Sequence, residues 1–221
     1  MKKAAAAATG DDAVGEDEAK CPCELTLTVW RKQEWNKVPG AANENVQQGG
    51  TIGDFELRKS GDDKPLVTGK MLEAAGPSSK VQGSDARVMP GTYALIKNPG
   101  SKGPYRIVQM TQSEATSHFG TRGAVNIHGG NNPVDLEGCL LPGGASANNP
   151  VKVPGVGKAK PTTQYYPSIS GSQAKLTEIK DAIAKYGVTE SKTTYDGTEK
   201  YTTTTYTNVK VVIVEIVSPP K

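Results

Sequence analysis

Apolar residues alternate with polar ones at a period of two over much of the chain. In ELTLTVWR, residues 24–31, Leu25, Leu27 and Val29 fall on one side and threonines and charges on the other. That is the pattern of a strand with one buried face. TIGDFELRKSGDDKPLVTGKMLE repeats it as two short strands joined through Ser60, Gly61, Asp62 and Asp63, which have the turn chemistry of a β-hairpin. MPGTYALIKNPGSKGPYRIVQM predicts another pair. Pro90 and Gly91 enter a strand through Tyr93, Leu95 and Ile96, and Asn98, Pro99 and Gly100 turn the chain before Tyr105–Met110. GAVNIHG predicts a further strand, with Val125 and Ile127 on one face and His128 on the other at its end.

One segment has helical spacing instead. In SGSQAKLTEIKDAIAKYG, Ser170 with Gln173 forms a capping-box pattern, Leu176, Ile179, Ile183 and Tyr186 make an apolar stripe, and Gly187 is placed to end the helix. Residues 143–167, rich in Gly, Pro, Ala and Asn, predict a long surface loop. KYTTTTYTNVKVVIVEIV predicts strands, threonine-rich and then Val/Ile-rich, in a terminal hairpin. Residues 1–20, alanines followed by acids, predict a flexible tail. The pattern as a whole predicts a mainly-β single domain over 21–187 with one packed α-helix, the tail at 1–20, and a C-terminal β-strand extension over 188–221.

Composition sharpens this expectation. Hydrophobic residues are 35% and aromatics 5%, against 25 Gly and 15 Pro, which favours a turn-rich β fold over a helical bundle. The 26 basic and 23 acidic side chains are well mixed, so no nucleic-acid partner is expected. No apolar run approaches the roughly 18 residues of a membrane span. The opening MKKAAAAATGDDAVGEDEAK has too short an apolar part for a secretory signal. The expectation is cytoplasmic synthesis without a signal peptide. Three cysteines are an odd number, so no disulfide framework is expected. Cys21 and Cys23, separated by one proline, are a weak zinc pattern and are read as ordinary cysteines. No metal site and no cofactor are expected, and His118 is read as a loop residue.

NIHGGNNPVDLEGCLLPG, residues 126–143, is where chemistry concentrates. His128 ends a strand and Cys139 follows a glycine eleven residues later. If that loop folds back, His128 is placed as a base and Cys139 as a nucleophile for acyl transfer. Gly138 would let a substrate approach the backbone, with the Gly138 and Cys139 amides as oxyanion donors. The plainer alternative makes Cys139 a small buried hydrophobe and His128 a hydrogen-bonded strand end. Asn131, Asp135 and Glu137 are candidate substrate contacts. Asp135 and Glu137 could instead orient His128 or Asn131, and two carboxylates with one Asn are too few to define a calcium or magnesium site.

The stretch from Glu24 to Gly187, about three quarters of the chain, resembles the bacterial and phage domain-of-unknown-function family 5675. LTLTVWR, GKMLEAAGP, RVMPGTYAL, VNIHGGNNPVDLEGCLLPG and a short following helix match in family order. More distantly, MPGTYAL followed by IHG and GC is similar to the L,D-transpeptidase catalytic domain, a β-rich fold in which a cysteine attacks a peptidoglycan stem peptide. That resemblance implies an L,D-transpeptidase-like β domain, with Cys139 as nucleophile, His128 as base and cell-wall peptide as partner. The chain departs from the pattern at Glu137, where that family has a histidine, at Leu141, where it has a polar residue, and in its shorter loop. The phage distribution implied by the first resemblance gives a second class of function. In it the chain is a non-catalytic cargo, accessory or structural component of a phage or phage-tail-like contractile injection particle, with particle proteins as partners, packaged in or exported by that particle.

Overall fold

The computed structural model describes residues 23–81, 83–110, 122, 125–154, 160–196 and 198–215. The predicted tail at 1–20, Cys21 and His118 lie outside the described residues. The elements, in order, are β1 (Leu25–Trp35), α1 (Glu44–Gln48), β2 (Gly50–Lys59), β3 (Val67–Glu73), β4 (Gly91–Lys97), β5 (Tyr105–Gln109), β6 (Val125–Ile127), a 3-10 turn at Pro133–Asp135, β7 (Leu140–Gly143), β8 (Ala145–Val153), β9 (Thr162–Ser170), α2 (Ser172–Tyr186), β10 (Thr189–Asp196) and β11 (Glu199–Val214).

The fold is mainly β, as the alternation predicts, and most of its strands form one closed wall. The strand order is β1-β2-β3-β7-β6-β5-β4-β11, and parallel pairing of β11 back onto β1, from Leu25 opposite Val209 to Trp30 opposite Val214, closes a barrel. Closure removes the free edges that an open sheet of this size would leave. With eight strands the interior is just wide enough to be filled by side chains. Leu25, Leu27, Val29, Phe55, Leu57, Tyr93 and Ile107 fill it, and α2 lays Leu176, Ile179 and Ile183 onto the same cluster. A smaller cluster of Trp35, Ile52, Leu72, Leu136, Leu141 and Ile169 packs the opposite faces of β2, β3 and β7 under β9 and the 3-10 turn.

The inward alternation of β1 continues past Val29 to Arg31, which is fully buried. Its five N–H donors are all used. Nε and Nη2 reach the two oxygens of Glu73 at 2.9 and 2.6 Å, Nη2 also reaches Val88 O at 2.7 Å, and Nη1 reaches Ser78 Oγ and Glu215 Oε2 at 3.2 and 2.7 Å. Burial alone would lower the Arg31 pKa, but the carboxylates of Glu73 and Glu215 outweigh it and push it up. Arg87 extends the network to Glu34 at 2.7 Å and to the other oxygen of Glu215 at 2.8 Å.

Three expectations are corrected. The expected loop at 143–167 contains two strands: β8 and β9 form an antiparallel ribbon from Ala145 opposite Ser170 to Val153 opposite Thr162. Its side chains are largely exposed, so it carries no apolar alternation that a sequence reading could detect. The helix starts at Ser172, not Ser170; Ser170 ends β9, the N-cap is Gly171 with φ +69°, and no side chain caps it. Cys23 is disulfide-bonded rather than an ordinary thiol, whereas Cys139 is free. The C-terminal segment does two things. Residues 209–214 of β11 are wall strand, while residues 199–204 pair with β10 in a hairpin. No described helix is long and apolar enough to cross a membrane.

Candidate functional site

β6 and β7 lie side by side in parallel, joined at Ile127 and Leu140, with His128 N donating to Leu140 O at 3.1 Å. Val125, Ile127 and Leu140 belong to the barrel core. His128 stands one place after Ile127 and Cys139 one place before Leu140, so the two flank the pairing of β6 with β7, and the Cys139 sulfur accepts from the backbone N–H of Asn126. The loop between them does fold back. The 3-10 turn at Pro133–Asp135 tightens it, and Cys139 N donates to Leu136 O at 2.8 Å to close the turn before β7. That turn needs positive φ at two successive residues, Glu137 at +43° and Gly138 at +80°.

His128 is 5% exposed. Its Nδ1 lies 2.8 Å from Gly129 O. A carbonyl oxygen only accepts, so Nδ1 carries the proton and Nε2 has the lone pair. Nε2 is shielded from solvent and has no hydrogen-bond partner. Burial pushes the His128 pKa below its ordinary value, the carbonyl of Gly129 opposes this, and Lys102 adds to it. The ring is therefore held neutral, in one tautomer, with a bare basic nitrogen.

Cys139 is 3% exposed. Burial pushes its thiol pKa up, partly offset by the backbone N–H of Asn126, which the sulfur accepts, and by Lys102. The thiol and the imidazole are not hydrogen-bonded to each other, since Nε2 has no partner and Nδ1 is held by Gly129 O. The resting state has a neutral thiol and a neutral imidazole, without the preformed ion pair of many cysteine enzymes.

The remaining predicted residues divide by role. Asp135 Oδ2 accepts from Asn131 N at 2.9 Å and Asn132 N at 3.1 Å, so this carboxylate shapes the loop. Asn131 O accepts from Ile169 N at 2.9 Å and ties the loop to β9. Glu137 is exposed and pairs with Lys102 at 2.7 Å, which holds its carboxyl below the usual range. Gly138 contributes its O to Arg122 Nη2 at 3.1 Å. The Cys139 amide, expected as an oxyanion donor, is committed to Leu136 O.

A cavity of about 690 Å³ opens beside His128, walled by His128, Gly129, Asp135, Lys102 and Ser101, and by Gln173, Thr177 and Lys180 of α2; Cys139 does not line it. Sequence reasoning missed Lys102, Gln173, Lys180 and Arg122. The helix spacing of Gln173, Thr177 and Lys180 marks one exposed face, but nothing in the sequence indicates that this face meets His128. Arg122 lies in no recognisable motif and binds the carbonyls of Ala86 and Gly138. Among the described residues no group of three or more His, Cys, Asp or Glu is placed to hold a metal ion. No family model, curated protein or solved structure matches the chain.

The lowered His128 pKa has a consequence for stability. A group whose folded pKa is depressed contributes stability that is present above its ordinary pKa, near 6.5, and lost as pH falls through the folded value. The melting-temperature advantage of the wild type over His128→Gln is therefore expected to shrink on acidification through the imidazole range. A difference that is constant or grows toward acid would show that the ring is not held neutral.

Proposed function

We propose that the chain is a cysteine-dependent enzyme acting on peptidoglycan or a related peptide, L,D-transpeptidase-like in its chemistry, with Cys139 as nucleophile and His128 as base. One observation carries the reading: His128 has its Nδ1 proton fixed on a backbone carbonyl and its Nε2 lone pair buried and unpartnered, at the end of the strand that pairs with the one Cys139 precedes. A base oriented by a third group is the arrangement that activates a nucleophile. An unsatisfied buried nitrogen is otherwise a cost with no return. In apo structures the nucleophile–base contact commonly tightens only when substrate binds.

The steps follow from the neutral pair. Nε2 takes the Sγ proton as sulfur attacks the acyl carbon, and the imidazolium then protonates the leaving amine as the C–N bond breaks. An incoming amine or water, deprotonated by Nε2, attacks the thioester and restores the thiol. The cavity beside His128 holds the peptide, with Lys102 and Lys180 as its cationic walls.

The test is incubation of the intact protein with purified muropeptides, followed by mass spectrometry of both protein and products. New products and an acyl adduct on Cys139 are expected for the wild type, and neither for Cys139→Ala; His128→Ala loses turnover without loss of folding. Because burial lowers His128 and raises Cys139, activity is expected to be flat across neutrality, falling only below the ordinary imidazole range and above the ordinary thiol range.

A second reading has its own observation. The thiol is buried, shifted toward its protonated form and not bonded to the imidazole. This favours a non-catalytic role, for which we propose a cargo, accessory or structural component of a phage-like injection particle. Absence of both adduct and products across the whole pH range would overturn the enzyme reading in favour of this one.

A further inference from the structure

A second cavity, of about 570 Å³, opens where the end of β1 and the residues following it meet the β8–β9 ribbon. It is lined by Trp35, Asn36, Val38, Asn148, Thr163, Gln164 and Tyr165, and none of these carries a charge at neutral pH. Its size falls in the range of about 300–1,000 Å³ typical of small-molecule sites. Two details separate it from a surface crevice. Trp35 Nε1 donates to Asn148 Oδ1 at 2.9 Å, which orients that amide and leaves its Nδ2 to donate elsewhere. Gln164 Oε1 is shielded from solvent and has no hydrogen-bond partner. The wall therefore combines a donor and an unanswered acceptor with the ring of Tyr165, which is 49% exposed.

We propose that this cavity binds a neutral saccharide. The chemistry of the wall decides among ligand classes. Phosphates, nucleotides and acidic peptides need cationic partners, and the described wall supplies none. A purely apolar ligand would desolvate the amides and still leave Gln164 Oε1 unpaired, which is costly. A pyranose ring meets both demands. Its C–H face lies against an aromatic face, and each of its hydroxyls both donates and accepts, so one hydroxyl answers Asn148 Nδ2 and a second answers Gln164 Oε1 once that side chain turns into the cavity. The cavity shares no lining residue with the one beside His128 and the inference does not depend on the chemistry of Cys139.

The protein contains two tryptophans, so Trp30→Phe leaves Trp35 as the sole reporter inside the cavity. That variant is titrated with chitotetraose, cellotetraose and mannotetraose, and with tetragalacturonate as the charged comparison, while Trp35 fluorescence is followed. A saturable change with at least one neutral tetrasaccharide is expected. Tyr165→Ala and Gln164→Ala are each expected to weaken it by about tenfold, with melting temperatures unchanged. Cys139→Ala should bind as the wild type does, which keeps this result separate from the enzyme test. No saturable change with any of the three neutral sugars, unchanged affinity in Tyr165→Ala, or a preference for tetragalacturonate overturns the proposal.

Discussion

Glu73→Ala is expected to destabilise the protein by about 3–5 kcal/mol, enough to approach the whole stability of a domain this size. Arg31 is fully buried and donates to both Glu73 oxygens, at 2.6 and 2.9 Å. Removing the carboxylate leaves a guanidinium in the barrel interior with two donors unanswered. Glu215 cannot compensate, because it already bridges Arg31 and Arg87 and a third of its side chain is exposed. The double variant Arg31→Met/Glu73→Leu removes both charges and keeps apolar volume, so it is expected to be more stable than Glu73→Ala alone. Urea titrations of the three proteins test this. A single variant within about 1 kcal/mol of wild type, or a double variant less stable than the single, would show that the pair is not what the interior depends on.

That pair also marks where the sequence stops being legible. Leu25, Leu27 and Val29 announce β1 because they are apolar, but Arg31 occupies the next inward place and reads as the end of the strand. A charge can sit there only because Glu73, Val88 O, Ser78 and Glu215 converge on it from 42 to 184 residues away. Local pattern contains none of that. β8 and β9 were illegible for the opposite reason: their ladder is backbone pairing with both faces mostly in water, so no period is imposed on the side chains. β11 carries a Val/Ile alternation that is legible as strand, but its role in closing the barrel rests on parallel pairing with the first strand of the chain.

The candidate site shows the same division. His128 at a strand end, Gly138 before Cys139 and a returning loop are readable from residue types, because each follows from local chemistry. The single parallel pairing of Ile127 with Leu140, which brings the end of β6 and the start of β7 together, is not. Nor is the Gly129 carbonyl that fixes the tautomer, since every residue has a carbonyl and only the fold aims it. Gln173, Thr177 and Lys180 join the cavity because the barrel core captures the other face of α2 through Ile179 and Ile183, with Leu176 at the border belonging to the core and lining the cavity as well. The motif thus supplies the reactive groups, and non-local packing supplies the walls.

Gly138→Val is expected to destabilise the protein by about 3–5 kcal/mol, from two costs that add at one residue. Gly138 has φ +80°, a left-handed conformation in which a β-branched residue is strained by roughly 1–3 kcal/mol. A Cβ there would also collide with Arg122 Nη2 and stand 3.1 Å from Ala86 O. Arg122 is the strap of this region: Nη1 donates to Ala86 O at 2.7 Å and Ser79 O at 3.2 Å, while Nη2 donates to Gly138 O at 3.1 Å. Displacing the guanidinium loosens those contacts, and hydrogen bonds from a charged donor contribute about 1.5–3 kcal/mol each. Gly138→Ala retains the φ penalty with less bulk and should fall between Val and wild type. Cys139→Ala removes one sulfur from a neighbouring buried site and is expected to lower stability less than either, by about 1 kcal/mol. Thermal and urea melts of the four proteins settle the order. If Cys139→Ala is the most damaging, Cys139 serves as packing and the nucleophile assignment fails; if Gly138→Val melts like wild type, the turn that presents Cys139 is not held by Arg122.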